Sequence, residues 1–338
     1  MSLYRKYRQQ SFKEVVGEEH IVSVLENEIK LDNLAHAYLF SGSRGTGKTS
    51  VARIFAKEIG TSKNDLYEID AASNNGVDEI RLLNESVHTL PFDSKYKVYI
   101  LDEAHMLSKS AFNAFLKTLE EPPAHVIFIL ATTELEKLPE TVQSRCQTFV
   151  FKRPNQSVLK EFALAIAKKE GKTLEASAAE LAALLGDGSF RDTHGILEKI
   201  IASTIEKKIS REDVERVTGA PKAELVRNIL ESIVEKNLEK GMKAVHEAKE
   251  ANADIKIFAK LILERLRFLF LLRLKAGMDD YILRETSEDD FKFLKSLALK
   301  AGQDLTSDVI LKFIDAVENS GRTSIPELSL ELALSSSF

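Results

Sequence analysis

The segment Gly42-Ser43-Arg44-Gly45-Thr46-Gly47-Lys48-Thr49 constrains this chain more than any other. It follows a short β-rich run, Ala37–Ser41, and opens a helical pattern at Lys48, the context in which a glycine-rich loop binds phosphate. Glycines let the backbone curl until its N–H groups and the positive end of the next helix face phosphate oxygens. Lys48 is then expected to neutralise the β and γ phosphates of ATP, and the Thr49 hydroxyl to ligate Mg²⁺, with contacts running from Gly42 through Ser50. Such a loop demands a parallel sheet covered by helices. Leu66–Asp70, Lys97–Asp102, Val126–Ala131 and Thr148–Phe151 read as the other strands. Lys48–Ile59, Val77–His88 and Lys109–Glu120 read as helices, the last stopped by Pro122 and Pro123.

The apolar run Val98-Tyr99-Ile100-Leu101 leads into Asp102-Glu103-Ala104-His105. Two carboxylates thus stand at the C-terminal end of a strand, where open α/β sheets bind ligands. Asp102 suits the magnesium shell, and Glu103 suits polarising the attacking water. Asp-Glu-Ala-His also spells the box of one helicase superfamily. That superfamily uses two tandem sheets, and this chain has room for one before it turns helical.

After Pro154 the strand signals vanish and amphipathic patterns take over: Asn155–Glu170, Ala176–Leu185 and Arg191–Ile205. Gly219, Ala220 and Pro221 form a break, followed by further helical patterns over Lys222–Lys236, Leu238–Ala251, Ile255–Lys275, Ser287–Lys300, Leu305–Asn319 and an apolar segment at Leu328–Leu334. The expected domains are a nucleotide-binding domain over 1–153, a small helical domain over 154–220 and an all-helical domain over 221–338. Ile255–Leu274 is the most apolar stretch, yet Lys256, Lys260, Glu264, Arg265, Arg267 and Arg273 make it too costly for a membrane span. Cys146 is the only cysteine, which excludes an internal disulfide and any multi-cysteine zinc site. The polar, basic start has no signal-peptide core, so the expected location is cytoplasmic. A net charge of −5 argues against a chain that coats nucleic acid indiscriminately.

Leu3-Tyr4-Arg5-Lys6-Tyr7-Arg8, Phe12, Val15-Val16-Gly17, Glu19-His20, Asp70-Ala71-Ala72-Ser73-Asn74, the run Asn113 through Pro123, Leu130-Ala131-Thr132-Thr133-Glu134, Lys137-Leu138-Pro139, Ser144-Arg145-Cys146 and Gly188-Ser189-Phe190-Arg191-Asp192 add a family pattern. It resembles the gamma/tau ATPases of the bacterial DNA polymerase III clamp loader. The resemblance implies an α/β P-loop AAA+ domain, a helical lid and an all-helical oligomerisation collar, in an ATPase that loads a sliding clamp onto primed DNA. It makes Thr133 the sensor beside the γ phosphate, Arg145 the finger that reaches a neighbouring subunit's nucleotide, Arg191 the second sensor acting in cis, and Val15, Val16 and Gly17 the adenine contacts. Implied partners are delta and delta-prime type subunits, further copies of this chain, the beta-type clamp and primed DNA. Lys109 and Lys117 match the helix that tracks DNA phosphates. Leu90, Pro91 and Phe92 form a candidate clamp face.

Two departures from the family pattern stand out. Gly60-Thr61-Ser62-Lys63-Asn64 bridges the gap where the family inserts a four-cysteine zinc module, so no zinc is expected, and Gln9 stands where proline is common. The chain reads as a short, gamma-like form. Two other readings stay open: a non-hydrolysing structural subunit of the delta-prime kind, and another AAA+ motor such as a branch-migration helicase or a replication factor C small subunit. The apolar Phe258, Ile262, Leu266, Leu269, Phe270 and Leu272 fit either an oligomer-facing helix or one wrapped inside its own domain.

Overall fold

Short apolar runs separated by amphipathic helices can satisfy their backbone groups only by pairing side by side, and the computed structural model, which describes residues 3–274, 277–301 and 305–338, shows them doing so. The strands are β1 (Ala37–Ser41), β2 (Leu66–Asp70), β3 (Lys97–Asp102), β4 (Val126–Thr132) and β5 (Gln147–Val150). They form one sheet in the order β2-β3-β4-β1-β5, and every pairing is parallel. β1 and β4 are buried along their whole length, as strands covered on both faces must be.

The covering helices are α1 (Leu3–Lys6), α2 (Glu19–Leu31), α3 (Lys48–Glu58), α4 (Val77–Ser86), α5 (Lys109–Glu120) and α6 (Glu140–Gln143). On one face Phe12, Ile21, Leu25 and Phe55 pack with Tyr38, Phe40 and Ile129. On the other, Ile80, Leu83, Phe112 and Phe115 pack with Tyr99, Leu101 and Phe128. Because β1 sits beside β4 while β2 lies at the edge, the chain leaves β1 across two strands. The segments following β1, β3 and β4 therefore open side by side at the C-terminal rim, the rim at which such sheets take ligands.

From residue 156 the chain is helical: α7 (Gln156–Lys169), α8 (Ala176–Leu185), α9 (Phe190–Ser203), α10 (Arg211–Thr218), α11 (Ala223–Glu235), α12 (Leu238–Glu250), α13 (Ile255–Arg273), α14 (Asp279–Glu285), α15 (Glu288–Lys300), α16 (Ser307–Asn319) and α17 (Leu328–Ser336). Strand signal does not vanish after Pro154, however: Thr173–Leu174 pairs with Lys208–Ile209. Two-residue strands are too short to print a period on the sequence. The expected end of the long helix at Lys275 lies outside the described residues.

Two compact units result, one of residues 1–158 with 188–192, the other of 159–187 with 193–338. In the second, α13 is wrapped by α11, α15 and α16 of the same unit, which accounts for its apolar circumference without a second chain. Buried Arg265 is paired there with Glu180, Glu264 and Asp290. Burial opposes its charge, but the carboxylates push the guanidinium above its usual value. Among the described residues, no helix is long and apolar enough to cross a membrane.

Candidate functional site

The loop after β1 is built on backbone that side chains rarely tolerate. Gly42, Gly45 and Gly47 have φ of 148°, 76° and 104°. A Cβ on Gly42 would stand 2.4 Å from the Phe151 carbonyl oxygen, and one on Gly45 would stand 2.0 Å from Ser189 Oγ. Glycine at these two positions is therefore required by approach as well as by φ. Gly47 caps α3, whose first N–H groups face the loop.

Lys48 is buried, and its Nζ donates to the carbonyls of Gly42 at 2.7 Å and Ser43 at 2.9 Å. Burial pulls its ammonium below the usual lysine value, while the carboxylates of Glu103 and Asp102 work against that. Ser43 Oγ is buried with no hydrogen-bond partner. A cation held among backbone carbonyls and an orphaned hydroxyl in one glycine cradle fit a phosphate chain. At the start of α3, Thr49 Oγ1 donates to Asp102 Oδ2 at 2.9 Å, so a hydroxyl and a carboxylate converge across the β1–β3 gap. Paired hard oxygens suit Mg²⁺.

Glu103 follows on left-handed backbone, φ 49°, and its N–H donates to Asp102 Oδ1 at 3.1 Å. Thr133, one residue past β4, donates through Oγ1 to Glu103 Oε2 at 3.1 Å. Lys48, Thr49, Asp102, Glu103 and Thr133 thus meet as the sequence reading expected. Arg191 belongs to the same unit, because residues 188–192 pack with the sheet. Phe190 donates its N–H to the Gly45 carbonyl at 3.0 Å, and the Arg191 guanidinium lies 5.6 Å from the Tyr4 ring centroid. Tyr4 and Arg8, whose Nε donates to Ser50 Oγ at 3.4 Å, were given no role by the sequence reading, yet they border this site.

Val15 packs against the α3 side of the core, Val16 is 40% exposed and Gly17 is left-handed. Beside them Glu18 is buried; its Oε1 accepts from the Lys152 N–H at 2.8 Å, while Oε2 has no hydrogen-bond partner among the described residues and lies 3.8 Å from His20 Nε2. Burial pushes its carboxyl up to about 7, with Glu19 adding to the rise and Lys152 opposing it. A carboxyl raised from 4.5 keeps its proton in the folded state when the unfolded chain has lost it. Its folded-state advantage is lost as pH rises from about 4.5 through about 7. Glu18→Gln, which keeps the acceptor for Lys152, is expected to raise the unfolding midpoint above pH 7 and leave it unchanged near pH 4.5. Thermal melts should show about 2–4 °C for each kcal/mol relieved.

The other residues singled out lie apart from this cluster. Arg145 donates to the Thr141 carbonyl and to Glu120 Oε1, each at 2.7 Å, and its side chain is 33% exposed. Lys109 and Lys117 are exposed on α5. Leu90 and Phe92 are 78% and 82% exposed, at the tip of a loop held by buried Asp65, which accepts the N–H groups of Phe92, Asp93 and Ser94. Burial pushes the Asp65 carboxyl up, but these donors win and hold it at about 2.

The family model described as DNA polymerase III, delta subunit matches residues 17–75 and 61–155. The tau subunit of DNA polymerase III from Bacillus subtilis (strain 168) is 36% identical over 98% of this chain and 62% of its own length. That of Escherichia coli K12 is 40% identical over 73% of the chain and 41% of its length, and the gamma/tau subunit of Mycoplasma pneumoniae is 43% identical over 63% and 34%. The chain thus spans under two thirds of these relatives. Among solved structures, the Thermotoga maritima RuvB Holliday junction branch migration motor superposes with a TM-score of 0.53 at 23% identity, covering 68% of this chain and 79% of that one; this likeness speaks for the AAA+ fold alone.

Proposed function

The chain belongs to the gamma/tau family of DNA polymerase III subunits, and from that premise we propose that it is an ATP-hydrolysing motor subunit of a sliding-clamp loader. One observation carries the reading: Lys48, Thr49, Asp102, Glu103 and Thr133 converge at the rim formed by the ends of β1, β3 and β4. In this reading the loop's N–H groups and Lys48 hold the β and γ phosphates of ATP. Val15, Val16 and Gly17 border adenine, and Thr49 and Asp102 hold Mg²⁺, which would neutralise charge on the transferred phosphoryl oxygens. Glu103 accepts a proton from, or orients, the attacking water; Thr133 fixes Glu103; Arg191 reports the γ phosphate in cis. Arg145 completes a neighbouring subunit's site, so turnover depends on assembly.

The helical part divides near 220 into a lid over 154–220 and a collar over 221–338. The collar assembles with delta and delta-prime type subunits and further copies of this chain, in the cytoplasm. Lys109 and Lys117 contact primed DNA through its phosphates. Leu90, Pro91 and Phe92 meet the beta-type clamp, as two large apolar side chains exposed two residues apart on a loop whose Phe92, Asp93 and Ser94 backbone is held by Asp65. Phe92→Ala is expected to weaken clamp binding by at least roughly 30-fold, the ordinary size of a buried aromatic anchor. Equal clamp affinity for variant and wild type, by surface plasmon resonance, would remove this face from the proposal.

The function as a whole is tested by steady-state ATP turnover with and without delta-type partners, clamp and primed DNA. The expected result is a rate that rises when clamp and DNA are both present. A negligible rate in the full assembly would instead make the chain a structural subunit.

A further inference from the structure

We propose that His105 is a positioning residue for Glu103: anchored to Thr132, its buried imidazole stands beside the Glu103 carboxylate with Glu134 at its other nitrogen. The proposal rests on the reading that Glu103 acts on the attacking water.

The His105 side chain is only 6% exposed, and both ring nitrogens have partners. Nε2 stands 3.3 Å from Glu134 Oε1. Lys137, bonded to Glu134 Oε2 at 2.7 Å, is the largest cause holding the Glu134 carboxyl below its usual value, so at neutral pH Glu134 only accepts. Nδ1 lies 3.0 Å from Thr132 Oγ1, which itself accepts the Glu134 N–H at 3.0 Å and so has its hydroxyl hydrogen free for the imidazole. The Glu134 N–H donates to Thr132, and Thr132 and His105 share a hydrogen bond, which anchors the imidazole to the end of β4 while Nε2 faces the Glu134 carboxylate at 3.3 Å.

The bond to Thr132 holds the imidazole with Nδ1 3.6 Å from Glu103 Oε2. Glu103 needs such a wall. Its backbone is left-handed, and among the described residues its side chain accepts one hydrogen bond, from Thr133 to that same Oε2. Thr133 supplies the attraction, and the imidazole limits where the oxygen can go. All the parts come from two adjacent strand ends: Leu101 faces Leu130 across β3 and β4, so the segments 102–105 and 132–134 emerge side by side.

A core-filling histidine would look alike in burial but not in kinetics. In the full assembly with partners, clamp and primed DNA, His105→Leu is expected to lower kcat by roughly 10–100-fold, the usual effect of losing a residue that orients a reacting one. The affinity for a fluorescent ATP analogue should stay within about twofold, because neither Lys48 nor the loop is touched. His105→Asn and His105→Gln, which each keep one of the two polar positions, should recover part of the rate. Glu134→Ala, which keeps the N–H bonded to Thr132 and removes only the carboxylate facing Nε2, should lose less than His105→Leu, and the double variant His105→Leu/Glu134→Ala should be no slower than His105→Leu, since Glu134 acts through the imidazole. Full kcat in His105→Leu overturns the proposal, as does a loss confined to nucleotide affinity in all three His105 variants. Glu103→Gln serves as the control: wild-type turnover in it would bring down the underlying reading, whereas a dead Glu103→Gln beside a fully active His105→Leu would bring down this inference alone.

Discussion

Arg145→Ala is expected to reduce ATP turnover in the assembled loader on the order of 10³–10⁵-fold, the range found where an arginine supplied by a neighbour stabilises charge on a transferring phosphoryl group. The isolated chain should bind ATP as before, since the Arg145 guanidinium is bonded to Thr141 and Glu120 and to none of the loop residues. Its present ion pair does not forbid the reach. Glu120 is half exposed and Arg145 one-third exposed, and a pair of that kind contributes about 0–1 kcal/mol, far less than the transition-state charge it would leave for. Mixed assemblies check the assignment. With Arg145→Ala in one position only, the lost turnover must belong to the adjoining subunit's ATP site; loss at the variant subunit's own site would overturn the role in trans.

Lys48→Ala is the second large effect, and it should appear in the isolated chain. The substitution removes the buried ammonium of the glycine loop, and it leaves the Gly42 and Ser43 carbonyls without the Lys48 donor. Removing one such preorganised donor costs on the order of 10²–10³-fold in kcat. Calorimetry with Mg-ATP should show weakened binding, and the clamp- and DNA-stimulated rate should vanish. Retained stimulation would mean that the loop does not hold the γ phosphate.

Much of the site was legible because its parts announce themselves locally. The loop spells a phosphate-binding pattern within eight residues, and the end of β3 delivers Asp102 and Glu103 together. Strands buried on both faces, such as β1 and β3, were found at their ends because their apolar runs are sharply bounded. Burial does not sort the remaining strands: β2, with exposed residues, was read at its observed bounds, fully buried β4 was expected to stop one residue early at Ala131, and β5 was expected one residue late, at Thr148–Phe151. The amphipathic α2 went unread, and so did α10, an eight-residue helix too short to show a period, although Ser210 and Asp213 form a capping box at its start. His105 was noticed only as the last letter of a four-letter box. Its partners lie 27 and 29 residues away, and nothing short of the β3–β4 register says that they meet. Glu18 escaped for the same reason, since Lys152 is 134 residues further on.

The return of residues 188–192 to the sheet-bearing unit decides how this molecule can be dissected. The chain passes between the two units at 158, at 187 and again at 192, so the nucleotide-binding unit is not a contiguous piece of polypeptide. A fragment ending at Val158 would carry the whole sheet, yet the Gly45 carbonyl would lose the Phe190 N–H and the Tyr4 ring would lose Arg191. Reducing this protein to its sheet-bearing unit therefore calls for an internal excision that retains residues 188–192, and a simple C-terminal truncation discards part of the candidate site.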